Sequence, residues 1–257
     1  MELTHALLLG IVQGITEWLP VSSSGHLALI HKMLGIAASP AFDVTLHAGT
    51  LLAVLAAFRK EYTEMLKAAL RLDWKSPPGK TLLWIILATI PGATAGYLFR
   101  DFFESLFNST QAIGTGLLIT AALLYAASKT RGTKDIGTKE AIIIGLAQVL
   151  SIAPGISRSG STLSAGMLSG ADRNKAARFS LLLSAPIVLG ASVFELTKAS
   201  LLELQPIPTI TGIAITFIAG YISIEVLLKL VKESKLQYFA YYCALLGIIC
   251  ITYLANP

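Results

Sequence analysis

Gln13 and Glu17 are four residues apart, a spacing that sets both side chains on one face of a helix. A carboxylate beside an amide can hold a hard cation or orient a base. Pro20 follows and breaks the helix, and Ser22-Ser23-Ser24-Gly25-His26 then reads as a turn rich in hydroxyls and backbone donors. Serine needs a neighbouring base to become a nucleophile, and His26 is placed to supply one. Serines in apolar helices also act as packing devices, so that role stays open for Ser22, Ser23 and Ser24. A second segment runs Pro154-Gly155-Ile156-Ser157-Arg158-Ser159-Gly160-Ser161-Thr162. Its small residues free backbone N–H groups to point at an anion. Arg158 adds a permanent charge and a planar fork matched to phosphate oxygens.

Arg158 has no acidic neighbour in its own segment. It therefore calls for Glu17 from across the molecule, as a buried ion pair, or for a phosphorylated ligand. Gln148 in the second segment corresponds to Gln13 in the first. His47, within Val44-Thr45-Leu46-His47, either lines the same pocket or is a satisfied core histidine. No Gly-Lys-Ser/Thr follows the glycine-rich turn, so it is not a Walker loop, and the C-x-x-C and H-E-x-x-H metal motifs do not occur.

The elements that carry these residues belong to a membrane protein. Of 257 residues, 54% are apolar and 14% charged, whereas soluble domains average about 45–50% and about 25%. Mean hydropathy is +0.69. This excludes a disordered chain and argues against a soluble enzyme. Residues 81–99, 105–128, 204–224 and 236–257 carry no charge, and 44–58 and 179–194 are nearly as long. A spanning helix needs about 20 apolar residues, so six spans are expected in an all-α polytopic integral membrane protein. No cleaved signal peptide is expected. The net charge of +5 fits loops facing anionic lipid rather than nucleic acid. Cys243 and Cys250 lie seven apart on one apolar run, too far to bridge within a helix.

The chain repeats itself. At a constant offset of 135, Ala6 meets Ala141, Gly10 meets Gly145, Gln13 meets Gln148, and Ser22, Ser24 and Gly25 meet Ser157, Ser159 and Gly160. We read a single membrane domain over 1–257, made of repeats 1–131 and 132–257. Each repeat opens with a broken segment, about 4–35 and 139–170, followed by three transmembrane helices. The uncharged arms of the broken segments are about 14 residues long, reaching about 20 Å against a hydrocarbon core of roughly 30 Å. They suit re-entrant helical hairpins, although two short tilted spans would leave the loops on the same sides.

Three spans per half is odd, so the repeats are expected to be inverted. Loops 59–80, 129–140, 171–178 and 229–235 then share one face and hold 16 of the 20 basic residues. Lys32, Arg100 and Lys198 fall on the other, with Arg158 at a hairpin tip. The positive-inside rule puts the basic face in the cytoplasm and both termini outside. Inverted broken segments bring their tips together near the midplane. Ionisable groups at that depth, here Glu17 and Arg158, are functional candidates by default.

The two motifs resemble those of the undecaprenyl-diphosphatase family, also known as bacitracin-resistance proteins. The residues that carry the resemblance are Gln13 to Glu17, Pro20-Val21-Ser22-Ser23-Ser24-Gly25-His26, and Pro154 to Gly160. The first motif position is Gln where the family also uses Glu, which weakens any mechanism needing two carboxylates. The resemblance implies hydrolysis of a polyprenyl diphosphate to the monophosphate and inorganic phosphate. It places the reaction at the outer face of the cytoplasmic (inner) membrane, where it recycles the lipid carrier for cell-wall glycan synthesis. It also implies a divalent cation, Mg²⁺ or Ca²⁺. Combined with the residue chemistry, Glu17, Ser23, His26 and Arg158 are the expected catalytic residues. Ser23 is the first choice of nucleophile and His26 the base, with attack by water still open. Gln13, Ser22, Ser24, His47, Ser157, Ser159, Gly160, Ser161 and Thr162 are expected to bind substrate, and Glu17 with Gln13 to hold the cation or orient His26. The rival class is a secondary transporter or flippase for a phosphorylated lipid or other anion, since broken helices and inverted repeats serve both. Oligomeric state is left open, a homo-oligomer included.

Overall fold

The computed structural model describes residues 2–36, 40–196 and 204–254. Among them are twelve α-helices and a closing π-helical turn. The helices are α1 (Leu3–Trp18), α2 (Ser23–Leu34), α3 (Pro40–Ala57), α4 (Arg59–Leu70), α5 (Pro77–Leu98), α6 (Arg100–Phe107), α7 (Thr110–Ser128), α8 (Thr138–Leu150), α9 (Arg158–Leu168), α10 (Arg173–Leu196), α11 (Pro206–Lys232) and α12 (Gln237–Ile249). The only extended pairing among the described residues is an isolated bridge from Lys134 to Ala171.

Four helices, α5, α7, α10 and α11, are long and apolar enough to cross a membrane, and α3 with α4 makes a fifth candidate bent by 81°. The protein is therefore a polytopic, all-helical membrane protein. Three of the six expected spans differ in detail, the first being 44–58, which lies in α3 and ends at that bend. The uncharged run 105–128 begins inside the short helix α6, and Ser109 starts a new helix by accepting a hydrogen bond from Ala112 N at 3.1 Å. The run 236–257 yields a shorter apolar helix, Gln237–Thr252. Cys243 and Cys250 are buried free thiols. Lys198 and both chain ends, which the expected topology put on the outer face, lie outside the described residues.

Both broken segments fold as helix pairs, α1 with α2 and α8 with α9. At 1.5 Å per residue these four helices measure only about 17 to 24 Å, short of a hydrocarbon core of about 30 Å. Each leading arm packs closely on a helix of the other half, α1 on α11 and α8 on α5. Small residues permit the approach. A Cβ on Gly14 would lie 2.7 Å from Ala219 Cβ and 2.8 Å from Thr216 O, and one on Gly145 would lie 2.7 Å from Ala88 Cα.

The four basic loops meet one another. Arg173 donates to Ser234 Oγ and, at 3.1 Å, to Thr130 O. Lys175 pairs with Asp135, and Arg178 with Glu61. At other places Lys32 reaches Thr110 Oγ1 at 2.8 Å and Arg100 sits over Phe194. The grouping of loops expected from charge is thus present in the fold.

The α8–α5 seam yields a prediction. Gly145→Val should destabilise the protein in detergent by about 1–3 kcal/mol, because the extra methyls meet backbone. Gly96→Ala, whose Cβ finds nothing nearer than 3.8 Å, should leave the melting curve unchanged. Equal melting of both variants would contradict the seam.

Candidate active site

Glu17 lies in the last turn of α1 with its side chain buried, and three donors converge on its carboxylate. Arg158 Nη2 donates to Oε1 at 2.7 Å. Ser23 Oγ donates to Oε2 at 2.6 Å, and Gln13 Nε2 donates to the same oxygen at 3.1 Å. The four-residue spacing of Gln13 and Glu17 therefore does what a helix face requires. Gln13 Nε2 also lies 3.1 Å from His47 Nδ1, which is 4.0 Å from Glu17 Oε2. Since the amide nitrogen only donates, His47 Nδ1 is the acceptor there and its proton sits on Nε2. Glu17, Gln13, Ser23, Arg158 and His47 thus form one connected cluster.

The first tip is backbone-strained. Ser22 has φ of +69°, a region that costs a residue with a side chain about 1–3 kcal/mol. It is held there by its neighbours. Ser22 O accepts from His26 N at 3.2 Å and from His26 Nδ1 at 2.8 Å, while Ser22 Oγ caps α2 by accepting from Gly25 N. Ser22 Oγ and Ser24 Oγ are 3.4 Å apart. This geometry turns Ser23 toward Glu17.

His26 faces elsewhere. With Nδ1 donating to Ser22 O, neutral His26 has Nε2 as an acceptor, and Tyr242 Oη lies 2.6 Å from it. The two rings stack at 5.7 Å and 11°. The contacts of Ser23 place Glu17, rather than His26, at its hydroxyl. The sequence put Ser23 and His26 side by side, but three residues along a helix the ring reaches a different neighbour, on α12.

The second tip turns at Gly155, where φ is +83° and a Cβ would lie 2.1 Å from Ile113 O, so only glycine fits. Thr120 on α7 anchors the turn, donating to Gly155 O at 3.0 Å and accepting from Ser157 N at 2.9 Å. Ser157 Oγ caps α9 by accepting from Gly160 N at 3.0 Å and lies 3.2 Å from Ser159 Oγ. Ser159 Oγ donates to Leu19 O at 3.3 Å, a second tie between the tips. Thr162 Oγ1 donates to Arg158 O at 2.8 Å and lies 2.6 Å from Ser180 Oγ. Ser161 is buried with its hydroxyl unpartnered. Gln148 does not join the cluster; its Nε2 approaches Ala88 O at 3.4 Å.

Arg158 uses only half of its fork. Nη2 holds Glu17, Nη1 is buried without a partner, and the guanidinium lies 5.5 Å from the Trp18 ring centroid. Arg158 itself opens α9, and Ser23, bonded to the same carboxylate, opens α2, so both helices bring their N-terminal backbone donors and positive dipole ends toward this cluster. An anion is the ligand such a place accepts. Gln13 Oε1 is likewise buried and unpartnered. Among the described residues no group of three or more His, Cys, Asp or Glu is gathered for a metal. Glu17 and the Gln13 oxygen fit a cation of the kind that takes few protein ligands and completes its shell with phosphate oxygens and water.

Sequence reasoning missed Trp18, Thr120 and Tyr242. Trp18 adjoins Glu17 and an arginine partner could have been suspected. Thr120 and Tyr242 sit in apolar runs whose pattern gives no sign of their partners.

Removing Arg158 should strand a buried carboxylate. Arg158→Leu is expected to cost about 3–5 kcal/mol in detergent unfolding, and Glu17→Leu combined with Arg158→Leu should recover much of it. Additive losses in that cycle would show that the two side chains do not interact.

A sequence profile of the family described as "Bacitracin resistance protein BacA" matches residues 6–249. A protein of Korarchaeum cryptofilum named undecaprenyl-diphosphatase is 42% identical, aligned over 99% of this chain and 100% of its own length. Others of that name are 39% identical in Methanosphaera stadtmanae, over 98% of both chains, and 42% identical in Geotalea daltonii, over 99% of both. The chain belongs to the bacitracin resistance protein BacA family.

Proposed function

We propose that this family member hydrolyses undecaprenyl diphosphate, or a similar polyprenyl diphosphate, to the monophosphate and inorganic phosphate. The names of its full-length relatives support the substrate. The observation that carries the chemistry is the buried Arg158, half committed to Glu17 and half free, beside a serine whose hydroxyl is bonded to that same carboxylate.

In the reaction we assign, Arg158 Nη1 and the backbone N–H groups opening α2 and α9 hold the diphosphate. Ser157, Ser159, Gly160, Ser161 and Thr162 shape the second of these ends, and Ser22 and Ser24 the first. Ser23 Oγ attacks the terminal phosphorus while Glu17 takes its proton. The bond from that phosphorus to the bridging oxygen breaks, and the polyprenyl monophosphate leaves with negative charge stabilised by Arg158. Water then attacks the phosphoserine, the bond from phosphorus to Ser23 Oγ breaks, Glu17 returns its proton to that oxygen, and phosphate leaves carrying the water's oxygen and protons. His47 and Gln13 orient Glu17 from behind. His26 holds the strained Ser22 carbonyl, and so the aim of Ser23, while Tyr242 fixes the tautomer of His26. A bound Mg²⁺ or Ca²⁺ would be held by Glu17 and Gln13 Oε1 and would supply charge neutralisation to the phosphate oxygens.

The membrane arrangement follows the same reading. We assign halves 1–131 and 132–257 with inverted topology, and re-entrant hairpins at about 4–35 and 139–170. The reciprocal packing of α1 on α11 and α8 on α5 supports this, as does the short reach of the hairpin helices. The basic loops would face the cytoplasm and the cleft the outer side of the cytoplasmic membrane. There the product would re-enter the lipid-carrier cycle of cell-wall synthesis.

The test is phosphate release from undecaprenyl diphosphate by purified protein in detergent, with chelator and with added Mg²⁺ or Ca²⁺. Ser23→Ala, Glu17→Gln and Arg158→Lys should each lose about 10²–10⁴-fold in kcat, and Tyr242→Phe about tenfold or less. Chelator should abolish activity and either cation restore it. Ser23→Ala with near-native turnover would remove the covalent step and leave water as the nucleophile. No release by wild type, with anion counterflow in vesicles, would favour a transporter.

A further inference from the structure

A groove of about 300 Å³ lies between α7, α8 and α9, and its exposed lining is almost wholly apolar. Its walls include Leu123 of α7, Ile143 and Ala147 of α8, and Ala165 and Leu168 of α9. Ser161, which is 1% exposed and has an unpartnered hydroxyl, also lines it. Ser161 is one turn along α9 from Arg158, so the groove begins where the anion-holding end of that helix stops. The lining extends to Leu168 and Ser169, at the close of α9.

We propose that this groove binds the first few isoprene units of the substrate, next to the diphosphate. The inference rests on the substrate reading above. A polyprenyl diphosphate needs an apolar track that starts at the phosphate site and leads away from it. Ser161 belongs both to this groove and to the phosphate-holding end of α9 assigned above, and its unpartnered hydroxyl would mark the junction between polar head and apolar tail. An outer-leaflet lipid also points its tail from the outer face toward the cytoplasmic one, the direction in which α9 runs in the topology assigned above. The volume holds only a small part of a long prenyl chain, so discrimination should act on the proximal units and be indifferent to the far end.

Repeat symmetry supplies a competing location. At the offset of 135, Ser161 corresponds to His26, and there Tyr242 stacks against the ring. The equivalent face on α1, α2 and α12 is thus occupied by an aromatic side chain, while that of α8 and α9 is open.

A farnesyl diphosphate carrying a benzophenone at the end of its prenyl chain tests the assignment directly. Irradiation followed by peptide mass spectrometry should label residues 143–150, 161–169 or Leu123, and excess undecaprenyl diphosphate should suppress the label. Label around Tyr242, or label that the competitor does not suppress, would overturn the proposal; the second result would mean bulk lipid fills the groove. Kinetics give an independent readout. Ala147→Trp, and Leu123→Phe on the opposite wall, should raise KM for farnesyl and undecaprenyl diphosphates about tenfold with kcat kept. KM for isopentenyl diphosphate should stay unchanged. An equal rise for all three would also overturn it. Labelling of the groove in a protein that releases no phosphate would sink the hydrolase reading and leave the tail site standing. Hydrolysis with label elsewhere would sink the tail site alone.

Discussion

The contact on which the rest depends is the ion pair between Glu17 and Arg158, 141 residues apart in sequence and 2.7 Å apart in space. Neither charge is tolerable alone when buried this far, because the cost of desolvating an ion is repaid only by a close and well-bonded partner. The pair therefore fixes how the two hairpin tips meet. The bond from Ser159 to Leu19 O follows the same approach. Glu17 accepts three hydrogen bonds, whereas Arg158 keeps one buried nitrogen without a partner. That imbalance leaves a buried donor open to an anion, which in the function proposed above is the diphosphate head group.

Holding two charges in place requires a stiff surround. Packing on α1 and α8 provides it through glycines that bring helix backbones into contact, and Thr120 pins the Gly155 turn from α7. The strained Ser22 is affordable only within that frame. Its carbonyl is bonded twice by His26, whose ring is fixed in turn by Tyr242. The chain of contacts runs from α12 to the Ser23 hydroxyl without His26 touching it. His26 therefore bonds the backbone of the serine segment, and the group that meets the Ser23 hydroxyl is the Glu17 carboxylate.

Much of this could be read from the residues. The apolar runs locate the long helices, because a membrane-spanning helix must be apolar over its whole length. The paired Gln-13 and Gln-148 positions and the Ser-x-Ser-Gly motifs locate both tips, because broken backbone needs small residues and local hydrogen bonds. Gln13, Glu17, Ser23 and Arg158 come together as their types and spacing suggest, and His47, whose sequence context fits core or pocket, joins them. What could not be read is orientation around a helix axis within an apolar run. Tyr242 and Thr120 lie among residues that all face either lipid or neighbouring helices, so polarity gives no phase. The same lack of phase hides that His26 turns toward α12. The bend between α3 and α4 was also unreadable, since the charged start of α4 looks like an ordinary loop.

If Arg158 holds the diphosphate, the most direct measurement is a structure with a non-hydrolysable prenyl methylene-diphosphonate bound. It should show phosphonate oxygens on the Arg158 guanidinium and on the backbone N–H groups opening α2 and α9, with Ser23 Oγ facing the terminal phosphorus. Phosphonate seated instead in the cavity lined by Arg59, Lys60 and Tyr221, with the Glu17–Arg158 pair untouched, would contradict that role for Arg158.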